Sequence, residues 1–250
     1  VNILITICGR GGSKGLKNKN IREFLGKPLI KYTLAAAFLF KERNPSYDID
    51  ICVNSDSSQI LELAGRYDVT CIKRPEELAR DTSPKVPVIR HSLIYMEKKL
   101  NKQYDYVIDL DITAPLRKVT DIETALKKAI ENKGVDVVYS VVPARRNPYF
   151  NMVENRDGKM QKIINTNFVA RQQAPKVYDE NASIYCYRRN SLLNNLDQSP
   201  LDGSFDIFLM KDTAILDIDS EEDFILMEIL ADYFFKGEFK ELYDYVNNMN

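Results

Sequence analysis

The amino-acid sequence predicts an α/β fold in which a mostly parallel sheet carries helices on both faces. Short runs of β-branched and other apolar residues alternate with longer amphipathic segments, which is the pattern of strands followed by covering helices. A length of 250 residues and a hydrophobic content of 44% suffice for one large core. We therefore expect residues 1–250 to form a single domain.

Seven apolar segments have the length and composition of strands. They span residues 3–8, 48–53, 70–73, 104–110, 136–142, 182–187 and 213–218. We expect helices between them: Pro28 can occupy the first turn of one helix, Asp56 can cap a second and Thr120 a third. After the last strand, the amphipathic segment 221–245 predicts one or two further helices.

Residues 143–176 interrupt this alternation. The segment contains three prolines and a glycine, several aromatic residues and a short alternating run at 159–164. We interpret it as an inserted subdomain built around a hairpin.

Charge and composition exclude several classes of protein. Lys+Arg 35 against Asp+Glu 36 gives a net charge of -1, which argues against extended contact with nucleic acid or an anionic membrane. No apolar run approaches the roughly 20 residues that cross a bilayer. The first apolar run leads into a glycine loop rather than a cleavage site. We expect a cytoplasmic protein without a nucleic-acid or membrane partner.

Cysteine and histidine are too sparse for common catalytic or zinc sites. The four cysteines are widely spaced without a CxxC pair, and we expect them to be reduced core residues. His91 is the single histidine and lies in a helical pattern, so we interpret it as structural. These counts provide neither a structural zinc site nor a Ser/His or Cys/His pair.

A glycine-rich loop follows the first strand at residues 9–15. Its glycines allow backbone N–H groups to approach an anion closely, and Ser13 adds a hydroxyl donor. Arg10, Lys14 and Lys19 supply positive charge, which is typical of a phosphate site. The loop has neither the lysine and hydroxyl residue of a Walker loop nor a GxGxxG register. An ordinary solvated turn is the alternative interpretation.

Five landmarks, in order, extend this signal along the chain. The string RGGSKGLKNKNIREFLGKPLIKYTLAAA begins at Arg10, RPEELARDT at Arg74 and DLDITAPLR at Asp109. RQQAP begins at Arg171 and is followed by NASIY, and DIDS begins at Asp217. In identity and order these segments resemble the signatures of the acylneuraminate cytidylyltransferases, most closely the branch that activates legionaminic acid.

The resemblance implies a Rossmann-like nucleotidyltransferase that joins CMP from CTP to the anomeric hydroxyl of a nonulosonic acid and releases pyrophosphate. It also implies Mg²⁺ as cofactor and a homodimer in which residues 143–176 reach over the partner. Two alternatives stay open. One is an enzyme for an eight-carbon sugar acid or another sugar nucleotidyltransferase, and the other is a nucleotide-binding module without turnover.

Site residues follow from the same resemblance. Nucleotide-binding and catalytic positions are expected at Arg10, Ser13, Lys14, Lys19, Asn20, Arg74, Asp217 and Asp219. Asp217 and Asp219 are two residues apart, so a continuing strand directs both carboxylates to one face, where they suit Mg²⁺. Alternatively, they only end a strand and cap the helix that begins near Ser220.

The sugar acid is expected to contact Asp111, Arg171 and Asn181. Arg171 can bind a carboxylate with two parallel donors, and Asn181 can donate to a hydroxyl or amide. The family's sialic-acid pattern has glutamine where this chain has Asp111. The family's next nucleotide-binding serine, in turn, falls at or near Lys85, which departs from the pattern for cytosine recognition. An ionised carboxylate only accepts hydrogen bonds, whereas the amide of glutamine also donates them. Asp111 therefore predicts a preference for a legionaminic-type acid. Alternatively, Asp111 only caps the following turn.

Overall fold

The computed structural model describes residues 1–12, 15–215 and 217–249. The chain forms, in order, β1 (Asn2–Cys8), β2 (Glu23–Phe24), β3 (Lys27–Pro28), α1 (Leu29–Arg43), β4 (Asp48–Ser55), α2 (Ser58–Ala64), β5 (Thr70–Lys73), α3 (Lys85–Leu100), β6 (Tyr106–Leu110), α4 (Val119–Glu131), β7 (Val137–Pro143), β8 (Val153–Arg156), β9 (Lys159–Lys162), β10 (Tyr178–Arg188), α5 (Arg189–Asn194), β11 (Phe205–Leu209), α6 (Glu221–Phe234) and α7 (Lys240–Asn248).

Seven strands form one sheet in the order β11-β7-β10-β6-β1-β4-β5. All neighbouring pairs are parallel except the two that involve β10, which runs antiparallel to β6 and β7. The mostly parallel α/β sheet predicted from the sequence is therefore confirmed. Because β4, β1 and β6 are parallel neighbours, their carboxyl ends meet at one edge of the sheet.

Helices cover both faces of the sheet. Along β1, Ile3, Ile5 and Ile7 pack into a core that includes residues of α1, α4, α6 and α7. Leu4 faces the opposite side and packs with residues of α3 and α5. Burial on both faces explains why the central strands have near-continuous apolar runs rather than an alternating pattern.

Three local predictions were wrong. The described residues of the predicted strand 213–218 do not form a strand, because Asp212–Ile215 is a short 3-10 helix and residues 217 and 218 are outside any strand. The seventh strand of the sheet is β11 instead. Ser57 rather than Asp56 caps α2, with its side chain accepting from the backbone N–H of Ile60. The residue preceding α4 is Lys118, which leaves Thr120 inside the helix.

The segment between β7 and β10 contains a hairpin outside the main sheet. Strands β8 and β9 pair antiparallel in a two-stranded sheet of their own. Asp157 and Gly158 connect them with φ angles of 54° and 81°, the left-handed pair that a tight two-residue turn requires. Val153 and Met160 are 60% and 66% exposed, so the hairpin presents an apolar surface to solvent.

Two further expectations concern the cysteines and the membrane. All four cysteines are free, and Cys52 and Cys186 are buried, whereas Cys8 and Cys71 are only partly buried. Within the described part of the chain, no helix combines the length and apolar character needed to cross a membrane.

Candidate active site

A cleft of about 490 Å³ opens at the edge where β1 and β6 end. It is lined by Cys8, Arg10, Gly15, Lys19, Asn20, Asp111, Thr113, Asp217 and Asp219. Parallel α/β sheets bind ligands at this edge, where the chain leaves the strands in loops. The structure thus brings together residues that are more than 200 positions apart in the sequence, including six of the expected site residues.

Hydrogen bonds and close packing fix Gly9, Gly11 and Gly15 in the loop after β1. The N–H of Gly9 donates to the backbone oxygen of Asn54 at 3.1 Å, and the N–H of Gly11 donates to Asp56 Oδ1 at 2.9 Å. At Gly15, a Cβ atom would lie only 2.0 Å from the carbonyl oxygen of Asp219. Glycine is therefore required where the loop meets the segment that carries the two late aspartates.

Lys19 and Asn20 connect the two sides of the cleft. Lys19 Nζ donates to the carbonyl oxygen of Ile218 at 2.6 Å and lies 2.9 Å from Asp219 Oδ1. Asn20 is buried, and its Nδ2 donates to the backbone oxygen of Arg10 at 2.9 Å. The Arg10 guanidinium forms an ion pair with Asp81 at 2.7 Å. These contacts hold two cations at the mouth of the cleft.

Asp217 could hold a metal ion. Its Oδ1 is buried and has no hydrogen-bond partner among the described residues. Burial, together with the nearby carboxylates of Asp111 and Asp219, raises the pKa of Asp217 above its usual value. A divalent cation would bind the unpaired Oδ1 of Asp217 and would offset the repulsion between the neighbouring carboxylates.

The available carboxylates fit Mg²⁺ better than a metal ion whose ligands all come from the protein. In the described part of the chain, no group of three or more histidine, cysteine or acidic residues could hold an ion. Asp217 and Asp219 supply two carboxylates, and Mg²⁺ characteristically completes its shell with water and substrate phosphates. Residues 217–219 are not in a strand, so the expected strand geometry of this pair was wrong although both residues line the cleft.

Asp111 is held on both oxygens. Lys85 Nζ donates to its Oδ2 at 2.6 Å, while the N–H and hydroxyl of Thr113 donate to Oδ1 at 3.0 and 2.7 Å. Burial alone would raise the pKa of Asp111, but the Lys85 cation and these hydrogen bonds lower it below the usual range. Asp111 is therefore an ionised cleft residue whose acceptors are already engaged.

A buried arginine supports the loop that carries Asp111. Arg117 is 1% exposed and donates from Nε to the backbone oxygen of Ala114 at 3.1 Å. Its Nη2 donates to the backbone oxygens of Asp111 and Ala114. Burial lowers the pKa of Arg117 to about 10, which still leaves it charged at neutral pH.

A second pocket of about 340 Å³ continues the cleft and shares Cys8, Arg10 and Asp111 with it. Arg74 lines this pocket and is 8% exposed. Its Nε donates to Asn54 Oδ1 at 2.9 Å, and its Nη2 donates to backbone oxygens of Asn54 and Gly9. Arg74 therefore fixes the start of the glycine loop while forming part of the pocket wall.

Arg171 and Asn181 do not line either half of this cleft. Arg171 lines a separate pocket of about 590 Å³ at the base of the inserted segment, where its Nη2 donates to the backbone oxygen of Ala144 at 2.8 Å. Asn181 is buried, and its Oδ1 accepts from the Ser140 hydroxyl at 2.5 Å. Ser13 and Lys14 lie outside the described residues.

The sequence alone does not identify Lys85, Thr113 or Arg117 as site residues. Lys85 stands out only as a departure from the family's nucleotide-binding serine, and nothing local shows that it meets Asp111, 26 residues away. Thr113 and Arg117 lie in the predicted DLDITAPLR segment. Their proximity to Asp111 in the sequence was the available signal.

The chain resembles known proteins over most of its length. Residues 4–248 match the protein family described as Cytidylyltransferase. The chain is 42% identical over 229 residues to the CMP-N,N'-diacetyllegionaminic acid synthase of Campylobacter jejuni, covering 91% of this chain and 94% of that protein. The same identity and coverage hold for the post-translational flagellin modification protein B of Campylobacter coli.

A solved structure supports the fold. CMP:2-keto-3-deoxy-manno-octonic acid synthetase, complexed with CTP, superposes with a TM-score of 0.66 at 16% sequence identity. The superposition covers 93% of this chain and 99% of that one. The sheet is therefore of the Rossmann-like nucleotidyltransferase type that the sequence predicts.

Proposed function

The chain belongs to the cytidylyltransferase family, and on that premise we propose that it joins CMP from CTP to the anomeric hydroxyl of a nonulosonic acid, releasing pyrophosphate. The observation that carries the proposal is the meeting of a phosphate-type glycine loop with Asp217 and Asp219 in one cleft. Lys19 Nζ lies 2.9 Å from Asp219 Oδ1, so a phosphate-binding cation and a metal-binding carboxylate are adjacent.

The reaction requires positioning and charge neutralisation more than a covalent nucleophile. As the sugar hydroxyl attacks the α-phosphate, negative charge develops on the phosphate oxygens and the leaving pyrophosphate. Arg10 and Lys19 line the cleft and would stabilise that charge. Mg²⁺, bound by Asp217 and Asp219, would supply further neutralisation of the phosphates. Burial raises the pKa of Cys8, so the cleft's one thiol stays protonated and is a poor nucleophile.

The two connected pockets suit the two ends of a nucleoside triphosphate. The larger pocket holds Lys19, Asp217 and Asp219 and suits the phosphates, while the pocket bordered by Arg74 suits the nucleoside. Ser13 and Lys14 complete the loop in this proposal. CTP is a cytoplasmic metabolite, so the reaction belongs in that compartment.

The favoured sugar is an acid of the legionaminic type. One relative that is 42% identical to this chain is named for N,N'-diacetyllegionaminic acid, and Asp111 replaces the glutamine of the sialic-acid pattern. We expect Asp111→Gln to shift the ratio of kcat/KM toward N-acetylneuraminic acid. Measuring kcat/KM for both acids with both proteins tests this, and an unchanged ratio would make Asp111 a structural residue only.

We also propose that the protein forms a homodimer. The hairpin of the inserted segment exposes Val153 and Met160, and Val169 nearby is 81% exposed, which suits a contact with a second copy. Arg171 stays the proposed ligand of the sugar carboxylate, acting from the inserted segment of one copy on the cleft of the other. Asn181 stays a proposed sugar contact that would require rearrangement of its internal hydrogen bonds.

Mixing two inactive variants tests action of Arg171 across a dimer. Arg171→Ala and Asp217→Asn should each be inactive alone. Random re-association of equal amounts makes half of the dimers mixed, each with one intact site, so activity should return to about a quarter of wild type. Absence of recovery, despite mixed dimers detected by mass spectrometry, would contradict this arrangement.

Turnover itself is tested by pyrophosphate release from CTP and Mg²⁺ with a panel of sugar acids. The panel contains N,N'-diacetyllegionaminic, pseudaminic and N-acetylneuraminic acids, and the eight-carbon acid represents the alternative. We expect release with the first acid at the highest kcat/KM, little with UTP, ATP or GTP, and none after chelation of the metal. Highest activity with the eight-carbon acid would refute the proposed sugar class.

A further inference from the structure

We propose that Lys85 is a positioning residue that sets sugar preference through Asp111, so that the cleft presents an oriented ion pair rather than a free carboxylate. The inference rests on the proposed function, because it assigns a role in selecting the sugar acid. Lys85 is the first residue of α3 and lines the pocket that suits the nucleoside, whereas Asp111 also borders the larger pocket, so Lys85 acts on the sugar through Asp111.

One lysine connects two carboxylates at the end of β6. Lys85 Nζ lies 2.6 Å from Asp111 Oδ2 and 2.9 Å from Asp109 Oδ2. Asp109 is fully buried, and its other oxygen accepts from the Thr6 hydroxyl at 2.7 Å. The lysine also lies over the ring of Tyr185, 5.2 Å from its centroid. These contacts on several sides fix the position of the ammonium group.

The surroundings keep both members of the pair charged. Burial alone would lower the pKa of Lys85, but the carboxylates of Asp109 and Asp111 raise it well above the usual value. Lys85 in turn lowers the pKa of Asp111. One lysine beside two aspartates gives this cluster a formal net charge of -1.

The pair remains accessible from the cleft. About 31% of the Lys85 side chain and 21% of the Asp111 side chain are exposed, and Asp111 borders both pockets. CTP and the sugar acid are both anionic, so a carboxylate in the cleft repels them unless it is paired. The orientation and charge of the Asp111 carboxylate therefore determine which sugar substituents can lie beside it. Lys85 and Thr113 determine that direction because each binds a different oxygen of the carboxylate.

Removing Lys85 alone changes the local net charge from -1 to -2 and leaves a carboxylate wall facing an anionic sugar. We expect Lys85→Gln to raise KM for the sugar acid by about 10-fold or more, with a smaller change in kcat. Lys85→Gln with Asp111→Asn restores the net charge of -1 and should recover a large part of that loss. A double variant no better than Lys85→Gln would contradict the charge argument.

The decisive comparison is made in the Asp111→Asn background, which keeps Lys85 paired with buried Asp109 and thus protects folding. Sugar preference is the ratio of kcat/KM for N,N'-diacetyllegionaminic and N-acetylneuraminic acids. If Lys85 acts through Asp111, then adding Lys85→Gln to Asp111→Asn leaves this ratio unchanged within about 2-fold. A further change of 5-fold or more would show that Lys85 reads the sugar directly and would overturn the inference.

Failure of the proposed function gives a different result. A wild-type protein that forms no CMP-sugar from any acid of the panel would refute both the function and the role of Lys85. A wild type that turns over, with Lys85→Gln matching it in sugar KM and sugar preference, would refute the role of Lys85 alone. Melting temperatures of all variants identify any that are not folded.

Discussion

Gly15→Ala is the perturbation that most directly probes how the glycine loop supports the cleft. The added Cβ would lie 2.0 Å from the carbonyl oxygen of Asp219, whereas real Cβ contacts are at least 3.0 Å. The loop or residue 219 must therefore move by about 1 Å, and misplacement of that size costs about 100-fold in rate. We expect kcat/KM for pyrophosphate release to fall by about that factor, with a higher Mg²⁺ requirement.

Gly237→Ala is a matched control away from the cleft, in the turn between α6 and α7. A Cβ at Gly237 would meet nothing within 4 Å among the described residues, so the same chemical change should leave kcat/KM within about 2-fold of wild type. Both variants should keep the wild-type circular dichroism spectrum. Wild-type turnover by Gly15→Ala, or equal losses in both variants, would refute the packing of the loop against Asp219 as the cause.

Further predictions concern the metal, the phosphates and stability. Asp217→Asn or Asp219→Asn should lower turnover by about 100-fold or more without unfolding, and wild-type rates across a Mg²⁺ titration would rule out that ligand. Arg10→Ala and Lys19→Ala should each weaken transition-state or triphosphate binding by about 2 to 5 kcal/mol, and unchanged CTP kinetics in both would move the phosphate site elsewhere. Burial alone would raise the pKa of Asp136, but side-chain hydrogen bonds from serine and asparagine neighbours and a backbone N–H lower it to about 2. Because the folded pKa is depressed, this stabilisation is present above about pH 4 and is lost as the pH falls toward 2. After allowance for solvent screening, Asp136→Asn should cost about 1 kcal/mol in urea unfolding at pH 7 and much less near pH 2, so a pH-independent difference would contradict the argument.

Burial made most of the fold predictable from the sequence. The central strands are covered on both faces, so their residues are apolar almost without interruption. Continuous apolar runs such as the one around Ile5 therefore indicate buried strands. The segment 213–218 has a similar composition, but its described residues form no strand. Ile218 is fully buried and joins the core without pairing in the sheet, a case that local apolar content cannot distinguish from a strand.

The site was predictable in its residue types but less so in its spatial arrangement. Motif order identified Asp217 and Asp219, while the ion pair between Lys85 and Asp111 joins elements 26 positions apart and needed the structure. Arg171 carries the expected chemistry, yet it lies at the base of the inserted segment outside its own chain's cleft. The topology of the chain determines which elements come into contact. The spacing of residues in the sequence does not determine that topology.

CMP transfer by this protein can be tested by following the phosphorus atoms of CTP. The protein would be incubated with Mg²⁺, N,N'-diacetyllegionaminic acid and CTP labelled at either the α- or the γ-phosphorus. CMP transfer predicts that the α-label appears in a sugar nucleotide, that the γ-label appears in pyrophosphate, and that both form in equal amounts. A γ-label on the sugar, or no transfer of either label with any nonulosonic acid, would rule out CMP transfer to a nonulosonic acid.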